Sequence, residues 1–183
     1  MRVLIFSILF ALHLSIGNCA DNSPRWNVYF SPKGGCTEAI VEALSKSKST
    51  VLVQAYSFTS VPISKALVEA YKRGVKVEVI LDKSQRTEKY SSATFLLNNG
   101  IQPLIDDNHA IAHNKVMVID GKTVITGSFN FTKAAEESNA ENVLIIQDAD
   151  LANKYTQNWN THKRHSEPYM GPINKTEQSK AKK

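Results

Sequence analysis

The sequence predicts one α/β domain with a mixed, largely parallel central β-sheet flanked by helices. Apolar runs rich in β-branched residues alternate with amphipathic segments at helical spacing. The strand, helix and strand lengths in the first half suit right-handed crossover connections. The chain has 183 residues, of which 42% are hydrophobic and 21% are charged, which is enough for a single core of ordinary size.

Helices and strands alternate in the first half of the chain, and strands dominate the second half. The first helix has Thr37 as its predicted N-cap, and the second begins at Pro62 and ends at Gly74. The apolar runs between the helices lack a polar face, as expected for strands that are buried on both sides. Helices are predicted at residues 37–48, 61–74, 90–100, 132–137 and 148–162, and strands at 50–58, 75–82, 101–105, 111–119, 122–127 and 142–147.

The N-terminus has the layout of a secretory signal peptide. In residues 1–20 a basic residue precedes an apolar run that is shorter than the roughly 20 residues of a membrane-spanning helix. Cleavage would follow Gly17 or Ala20, and the choice decides whether Cys19 stays in the mature chain beside Cys36. We therefore expect an exported protein, periplasmic or secreted, with no stable membrane span after cleavage.

The formal net charge of +5 is concentrated outside the predicted domain. Residues 21–162 carry 15 basic and 15 acidic side chains, whereas residues 163–183 carry 6 basic and 2 acidic ones. We expect the domain to cover residues 21–169 and a disordered basic tail to cover residues 170–183. The neutral domain gives a nucleic-acid interpretation little electrostatic support.

The stretch HNKVMVIDGKTVITGSFN collects polar side chains inside an otherwise apolar segment. On a predicted strand at residues 111–119, His113 and Lys115 share one face and lie roughly 7 Å apart along the strand. Asp120 has the opposite parity, so we interpret it as a turn residue with an architectural role. Asp120 and Gly121 predict a tight two-residue hairpin turn.

The return strand brings two neutral donors back towards His113. Ser128 and Asn130, together with Lys115, suit a tetrahedral oxyanion, because lysine supplies charge while the hydroxyl and the amide donate hydrogen bonds. An imidazole beside them can attack or transfer protons. Taken singly, each residue also fits a turn, a cap or an edge strand. Their joint spacing, H-x-K-x4-D-x6-G-S-x-N, favours a single shared site.

This spacing resembles the HKD signature of the phospholipase D superfamily. The phrases YFSPKGG, AYSFTS and GSFNFTKAAEESNAENVLII are similar to one branch, the small secreted bacterial endonucleases with a single copy of the motif. The resemblance spans about residues 29–159 and implies a phospholipase D-like domain. The motif positions are His113, Lys115, Asp120, Gly127, Ser128 and Asn130.

The resemblance implies a phosphodiesterase that needs neither a metal nor a cofactor. His113 would attack phosphorus to form a phosphohistidine, which water would then hydrolyse. Lys115 and Asn130 would hold the non-bridging oxygens, and Ser128 would assist through its hydroxyl. Glu141 matches the acidic residue of the family that orients the imidazole.

A single motif also implies a homodimer. In-line displacement places the leaving oxygen opposite the nucleophile, so one imidazole cannot attack phosphorus and protonate that oxygen in the same step. Two histidines are needed, and we expect the second His113 to come from a symmetry mate at a shared two-fold site.

Three functions fit this chemistry. The closest phrases favour a nonspecific endonuclease acting on DNA or RNA. A phospholipase D that hydrolyses phosphatidylcholine to phosphatidate and choline is the alternative, with phospholipid as its substrate. A catalytically inactive nucleic-acid-binding dimer is a more distant one.

A metal site in the stretch DDNHAIAH is not expected. Asp106, Asp107, His109 and His113 are potential ligands. On one strand, however, the two histidines would lie about 13 Å apart and could not share an ion.

Overall fold

The computed structural model describes residues 25–172, which fold into one eight-stranded sheet with helices on both faces. The predicted signal peptide, Cys19 and the end of the predicted tail lie outside the described residues. Within residues 25–172, no helix is both long enough and apolar enough to cross a bilayer. The strands are β1 (Arg25–Ser31), β2 (Thr50–Ala55), β3 (Lys76–Asp82), β4 (Pro103–Asp106), β5 (Lys115–Ile119), β6 (Thr123–Gly127), β7 (Glu141–Gln147) and β8 (Glu167–Pro168). The helices are α1 (Cys36–Ser45), α2 (Val61–Lys72), α3 (Ser92–Asn98), α4 (Lys133–Glu137) and α5 (Ala149–Lys163), with a short 3-10 helix at Lys83–Arg86.

The strand order is β1-β7-β6-β5-β2-β3-β4-β8. The mixed α/β class is confirmed, but the expectation of a largely parallel sheet is wrong. Among the described strands, the β2–β3 and β3–β4 pairs are parallel and the five other pairs are antiparallel. The parallel part is formed by crossovers through α2 and α3. In the second half a tight hairpin turn joins β5 to β6, and a segment that contains α4 joins β6 to β7, in both cases as antiparallel neighbours.

The two faces of the sheet are covered by different helices. The main core lies on the side of α1, α2 and α3 and includes Ile40, Leu67 and Met117, each completely buried. On the other side α5 covers Val118 and Val124. The indole of Trp159 in α5 is buried there as well, and its Nε1–H donates to the backbone oxygen of Val53 over 2.9 Å.

The sheet extends beyond α5 at strand β1, which the sequence analysis did not predict. The register pairs Val28 with Leu144 and Phe30 with Asn142 on β7, so alternation places these side chains on the α5 face. Trp26, Val28 and Phe30 are 63%, 38% and 64% exposed on this strand. We call these three residues the β1 stripe.

Several predicted boundaries differ from the structure by a few residues, and for two of them the contacts show the reason. The predicted strand at residues 111–119 begins only at Lys115, because the Ala112 N–H turns away to donate to the Asp82 carboxylate over 2.8 Å. Helix α1 begins one residue before the predicted N-cap Thr37. Thr37 lies inside the helix and does not cap it. The Glu136 carboxylate accepts the Thr37 N–H over 2.7 Å and thereby satisfies a donor at the helix start.

Candidate active site

One open pocket is lined by residues from three strands and the loops beside them. It lies at the edge of the sheet where β6 ends and where β5 and β7 begin. All five predicted catalytic residues line it, together with the motif glycine. The lining residues are His113, Lys115, Gly127, Ser128, Asn130 and Glu141.

His113 and Lys115 meet at the start of β5. His113 is exposed in the loop before the strand, whereas Lys115 is only 7% exposed. The Lys115 ammonium donates to the backbone oxygen of His113 over 2.9 Å, which fixes the two residues relative to each other. Tyr56 follows β2 and supports both, with its ring centroid 4.6 Å from that of His113 and 5.1 Å from the Lys115 nitrogen.

The environment of Lys115 leaves N–H donors of its ammonium available to a ligand. Burial lowers the pKa of the Lys115 ammonium, and the nearby Glu141 carboxylate partly opposes this effect. An ammonium has three N–H donors, one of which goes to the His113 oxygen. A phosphoryl oxygen is a suitable acceptor for the others.

Ser128 is held in an orientation that directs its proton outward. Its hydroxyl oxygen accepts hydrogen bonds from the backbone N–H and the side-chain amide of Asn142, over 3.1 and 3.3 Å. A serine hydroxyl has two acceptor lone pairs and one O–H donor. Because both lone pairs are engaged, the remaining capacity of Ser128 is that of a hydrogen-bond donor.

Gly127 allows β6 and β7 to approach closely beside the pocket. Its φ of 147° lies outside the usual range of L-residues, and a Cβ at this position would lie 2.2 Å from the backbone oxygen of Asn142. A side chain at position 127 would therefore push apart the strands that carry Ser128 and Glu141.

Asn130 and Glu141 complete the pocket with an amide and a carboxylate. The Asn130 Oδ1 atom is buried and accepts no hydrogen bond from the described residues. Glu141 Oε1 accepts from the Asn139 side-chain amide over 3.2 Å. Within residues 25–172 no hydrogen bond joins Glu141 to His113 in the same protomer, so the predicted orienting contact is not formed in the single chain.

Asp120 lies at the opposite end of the hairpin and contacts other groups. It has a φ of 54° and Gly121 a φ of 62°, and the turn closes through the Lys122 N–H to the Ile119 oxygen over 3.0 Å. Thr123 pairs with Ile119, so three residues separate the paired positions rather than the predicted two.

The Asp120 carboxylate binds the start of β2. It accepts the backbone N–H groups of Lys48, Ser49 and Thr50, the shortest over 2.7 Å, and the Ser49 hydroxyl over 2.9 Å. Burial raises the pKa of Asp120, but the hydrogen bonds from Thr50 and Ser49 outweigh it, and the net direction is downward.

The pocket therefore combines a nucleophile, a fixed positive charge and two neutral donors. An exposed imidazole, a buried ammonium, a hydroxyl and an amide together suit a tetracoordinate phosphate ester. Residues 40–163 match the family described as "Cardiolipin synthase, PLD-like domain", which covers more than half of the chain. The chain belongs to the phospholipase D superfamily, a superfamily of phosphodiesterases.

Curated relatives of this chain include proteins from bacteria and animals. A phospholipase D of Rickettsia conorii is 47% identical over 158 residues, which is 86% of this chain and 78% of that protein. A phospholipase D of Rickettsia typhi is 48% identical over 134 residues, and the match spans about two thirds (66%) of its length. A mitochondrial cardiolipin hydrolase of Danio rerio is 31% identical over 119 residues, which is 64% of this chain and 52% of that protein.

A solved structure of the same superfamily has the same fold. Nuc from Salmonella typhimurium, a phospholipase D family member, superposes with a TM-score of 0.77 at 39% sequence identity. The superposition covers 80% of this chain and 99% of that one. NucT from Helicobacter pylori, with a TM-score of 0.74 and 23% identity, shows the same fold.

Sequence reasoning missed two residues that support the pocket. Tyr56 contacts His113 and Lys115, and Asn142 positions Ser128. Tyr56 directly follows a strand whose neighbour in the sheet begins at Lys115, so the strand order would have been needed to find it. Asn142 immediately follows Glu141, and its proximity to a predicted site residue was the available signal.

Proposed function

We propose that this chain is a phosphodiesterase that acts through a phosphohistidine on His113, with nucleic acid as its substrate class. The observation that carries the proposal is the convergence of His113, Lys115, Ser128, Asn130 and Glu141 on one pocket. The positive charge comes from a lysine, and the single carboxylate lies near that lysine. This donor set stabilises a phosphoryl group directly, so the proposed reaction includes no catalytic metal and no cofactor.

Each pocket residue has a step in this reaction. The exposed His113 imidazole attacks phosphorus, a P–N bond forms and the P–O bond to the leaving group breaks. The Lys115 ammonium and the Ser128 hydroxyl donate to the non-bridging oxygens, where negative charge builds up. Asn130 donates through its amide nitrogen. Water then attacks the phosphohistidine, and the P–N bond breaks to free His113.

The leaving oxygen requires a second proton donor, which we assign to His113 of a second protomer. Within the part of the chain that the structure describes, a single protomer places one imidazole on this pocket, that of His113. The pocket is open, so the attacking and the protonating imidazoles can approach one phosphorus from opposite sides of a two-fold axis. In that arrangement Glu141 accepts an N–H from an imidazole at the interface, a contact that the single chain does not form.

The β1 stripe supports a dimer that includes the pocket edge. Phe30 pairs in register with Asn142, whose amide groups hold Ser128. An interface over the open side of the pocket would therefore continue onto Phe30 and bury a side chain that is 64% exposed in the single chain. Exposed contiguous apolar side chains of this kind are typical of protein interfaces.

The substrate class rests on the shape of the pocket and on a structural neighbour. His113 and Ser128 are exposed, so a phosphodiester in the middle of a polymer can reach them. The pocket lining is polar apart from Gly127, with no apolar channel among its residues for acyl chains. The match to Nuc covers almost all of that chain. Because the name Nuc denotes a nuclease, this match favours nucleic acid as the substrate.

A phospholipase D acting on phosphatidylcholine is the second candidate. It is favoured by the Rickettsia relatives, which carry that name and share 45 to 48% of the aligned residues with this chain. The predicted chemistry at phosphorus is the same for both substrates, because in each the phosphorus atom is bonded to two ester oxygens that carry alkyl groups.

A substrate panel separates the two candidates. Untagged protein is incubated with plasmid DNA, single-stranded DNA, RNA and phosphatidylcholine vesicles, each with and without EDTA, and with a His113→Asn variant as the matched control. We expect cleavage of nucleic acid by the unmodified chain in both buffers and none by the variant. Release of choline without cleavage of nucleic acid would replace the first candidate with the second.

Mixed dimers test the shared site. The unmodified chain and the His113→Asn variant are denatured, mixed in equal amounts and refolded together, so that random pairing leaves about a quarter of the dimers with two imidazoles. We expect the mixture to have, per amount of total protein, about a quarter of the activity of the unmodified chain refolded alone. Independent sites in each protomer would instead retain about half.

Export is a further part of this proposal. It rests on the signal-peptide layout of residues 1–20 and on the predicted cleavage after Gly17 or Ala20. Mass spectrometry of the protein recovered from a periplasmic extract or culture medium would give the mature N-terminus. Recovery of the full-length chain from the cytosol alone would contradict it.

A further inference from the structure

Outside the pocket, three of the five histidines of the chain surround one buried carboxylate. Asp106 ends β4 and is completely buried. His109 lies in the loop that follows, His162 in the last turn of α5 and His165 just beyond the end of that helix. We call these four residues the Asp106 cluster.

The distances in the Asp106 cluster are close to those between ligands of one metal ion. Asp106 Oδ1 lies 3.1 Å from His109 Nδ1 and 3.3 Å from His165 Nε2, and Oδ2 lies 2.7 Å from His162 Nδ1. One potential ligand atom from each residue lies within 4.8 Å of all the others. In a tetrahedral site with bonds of about 2.0–2.1 Å, ligand atoms lie about 3.3 Å apart. Small side-chain rotations would close the remaining gap.

His165 provides an independent reason to expect a ligand. Its Nε2 atom is buried and has no hydrogen-bond partner among residues 25–172, because the Asp106 Oδ1 atom, 3.3 Å away, does not lie in hydrogen-bonding geometry. Buried polar atoms in native proteins nearly always have a partner. A metal ion at the centre of the cluster would use the Nε2 lone pair.

We propose that Asp106, His109, His162 and His165 bind one zinc ion with a structural role. Three imidazoles and one carboxylate are donors that zinc prefers, whereas magnesium and calcium prefer sets of oxygen ligands. Four protein ligands complete a tetrahedral coordination sphere and leave no position for substrate, which is typical of structural rather than catalytic zinc.

The ion would link the end of α5 to the end of β4. Asp106 and His162 are 56 positions apart in the chain, and β8 pairs with β4 immediately after the cluster. The loop from the cluster also leads directly to His113, which the phosphodiesterase proposal makes the nucleophile. The zinc proposal does not depend on that function, because it concerns the anchoring of α5 and of this loop.

The expectation of no metal depended on a strand that carries both His109 and His113. Residues 111–114 do not form a strand in the structure, so that reason no longer applies to His109. The other two ligands come from the stretch HKRH, in which His162 and His165 are three positions apart, as Asp106 and His109 are. This repeated spacing was the sequence signal that could have indicated the site.

The test measures zinc in untagged full-length protein by inductively coupled plasma mass spectrometry and follows thermal unfolding with added ZnCl2 or EDTA. We expect about one zinc per chain. At a hundredfold excess over the dissociation constant, zinc should raise the unfolding midpoint by about 5 °C or more relative to EDTA. Replacement by cobalt should give the visible absorption of a tetrahedral site. Less than a tenth of an equivalent of zinc, with no midpoint shift, would overturn the proposal and leave a metal-free hydrogen-bonded cluster.

Variants place the ion at the Asp106 cluster. His162→Ala and His165→Gln should both lose the zinc and the midpoint shift. His165→Gln is the milder change, because the buried Nε2 atom of His165 makes no hydrogen bond to the described residues. Asp107→Asn removes a neighbouring carboxylate that is 49% exposed and should keep the ion. His113→Asn should keep the ion while losing turnover, which separates this proposal from the proposed function. Retention of zinc by a folded His165→Gln variant would place the ion elsewhere and contradict the proposal.

Discussion

His113 and Asp120 belong to the same short segment and yet serve different ends of the hairpin. His113 is exposed at the pocket, and within the described residues its ring packs against that of Tyr56. Replacing it should therefore remove chemistry without removing much stability. We predict that His113→Asn lowers turnover by at least about a thousandfold. Its thermal unfolding midpoint should stay within about 2 °C of the unmodified chain, since surface changes are usually within about 0.5 kcal/mol.

Initial rates on the preferred substrate of the panel, together with thermal denaturation followed by circular dichroism, check this prediction. A folded variant with near-normal turnover would exclude His113 as the nucleophile. Lys115→Met is a useful second variant in the same measurements, because it removes the positive charge of Lys115 and keeps much of the buried side chain.

Asp120 should show the opposite pattern, because its carboxylate accepts hydrogen bonds at the start of β2 and does not line the pocket. We predict that Asp120→Asn lowers the free energy of unfolding by about 2 kcal/mol. Hydrogen bonds to charged groups contribute about 1.5–3 kcal/mol, and in the variant water replaces part of the hydrogen bonding that the carboxylate provides. Turnover at a temperature where the variant is folded should remain measurable.

The effect of Asp120 should depend on pH in a defined direction. The folded state lowers the pKa of Asp120, so its ionised carboxylate stabilises the fold above the unfolded-state pKa of about 3.9. That contribution is lost as the pH falls through the lower folded-state pKa. The free energy of unfolding of the unmodified chain and of the Asp120→Asn variant is measured with denaturant at pH 7 and below pH 3. The difference between the two proteins should be larger at pH 7. An equal difference at both pH values would contradict the assignment.

At the residue level, the sequence predicted the groups that line the pocket but not the groups that hold them. The predicted hairpin was sufficient to bring His113, Lys115 and Ser128 to one end of a chain segment, although His113 lies in the loop before β5 and not on the strand. Tyr56 and Asn142 approach the same point from β2 and β7, and their positions depend on which strands are neighbours. That information is non-local, and a single sequence does not contain it in readable form.

Among the elements, the β6–β7 pair is the one on which the pocket depends most directly. Gly127 ends β6 with a φ of 147°, and the backbone oxygen of Asn142 on β7 lies 2.2 Å from where a Cβ would be. We predict that Gly127→Ala lowers the free energy of unfolding by at least about 2 kcal/mol, from backbone strain and from overpacking against a backbone atom. Turnover should fall as well, because Ser128 loses its hydrogen bonds when the strands separate.

Gly121→Asn is the matched control for this prediction. Gly121 also has a positive φ, but at 62° and with no heavy atom within 4 Å of the position that a Cβ would occupy. Asparagine tolerates this left-handed conformation, so the control should change the free energy of unfolding by less than about 1 kcal/mol. Chemical denaturation of both variants checks the comparison, and equal destabilisation would show that close approach at Gly127 is not the cause.

Boundaries of elements were harder to predict than their existence, because distant side chains set them. Glu136 from α4 accepts the N–H groups of Gly35 and Thr37, so α1 starts earlier than local capping rules indicate. The Asp82 side chain at the end of β3 accepts the Ala112 N–H and thereby shortens β5. Both contacts join residues at least 30 positions apart, and neither leaves a local sequence pattern.

For the whole molecule, the mixed strand directions explain why the pocket forms at one sheet edge. Neighbouring antiparallel strands alternate in direction, so the ends of β2 and β6 and the starts of β5 and β7 lie at the same edge. Lys115 and Glu141 begin β5 and β7, Gly127 ends β6, and Tyr56 directly follows the end of β2. A wholly parallel sheet would place strand starts and strand ends at opposite edges and would split this set.

The β1 stripe sets the last prediction, which concerns assembly. Phe30 is 64% exposed on the face that α5 leaves uncovered, and it lies in register with the strand that holds the pocket. Placing a lysine in a desolvated interface leaves an unpaired charge, which costs several kcal/mol. We predict that Phe30→Lys converts the proposed dimer to a folded monomer and lowers turnover by at least about a hundredfold, because each monomer would retain only one of the two His113 imidazoles that the proposed site needs. Tyr90→Lys is the matched control, since this aromatic side chain is 70% exposed outside β1. Light scattering coupled to gel filtration, with initial rates on the same fractions, measures both effects. A fully active Phe30→Lys monomer would contradict the shared site itself, whereas an intact and active Phe30→Lys dimer would place the interface on another surface.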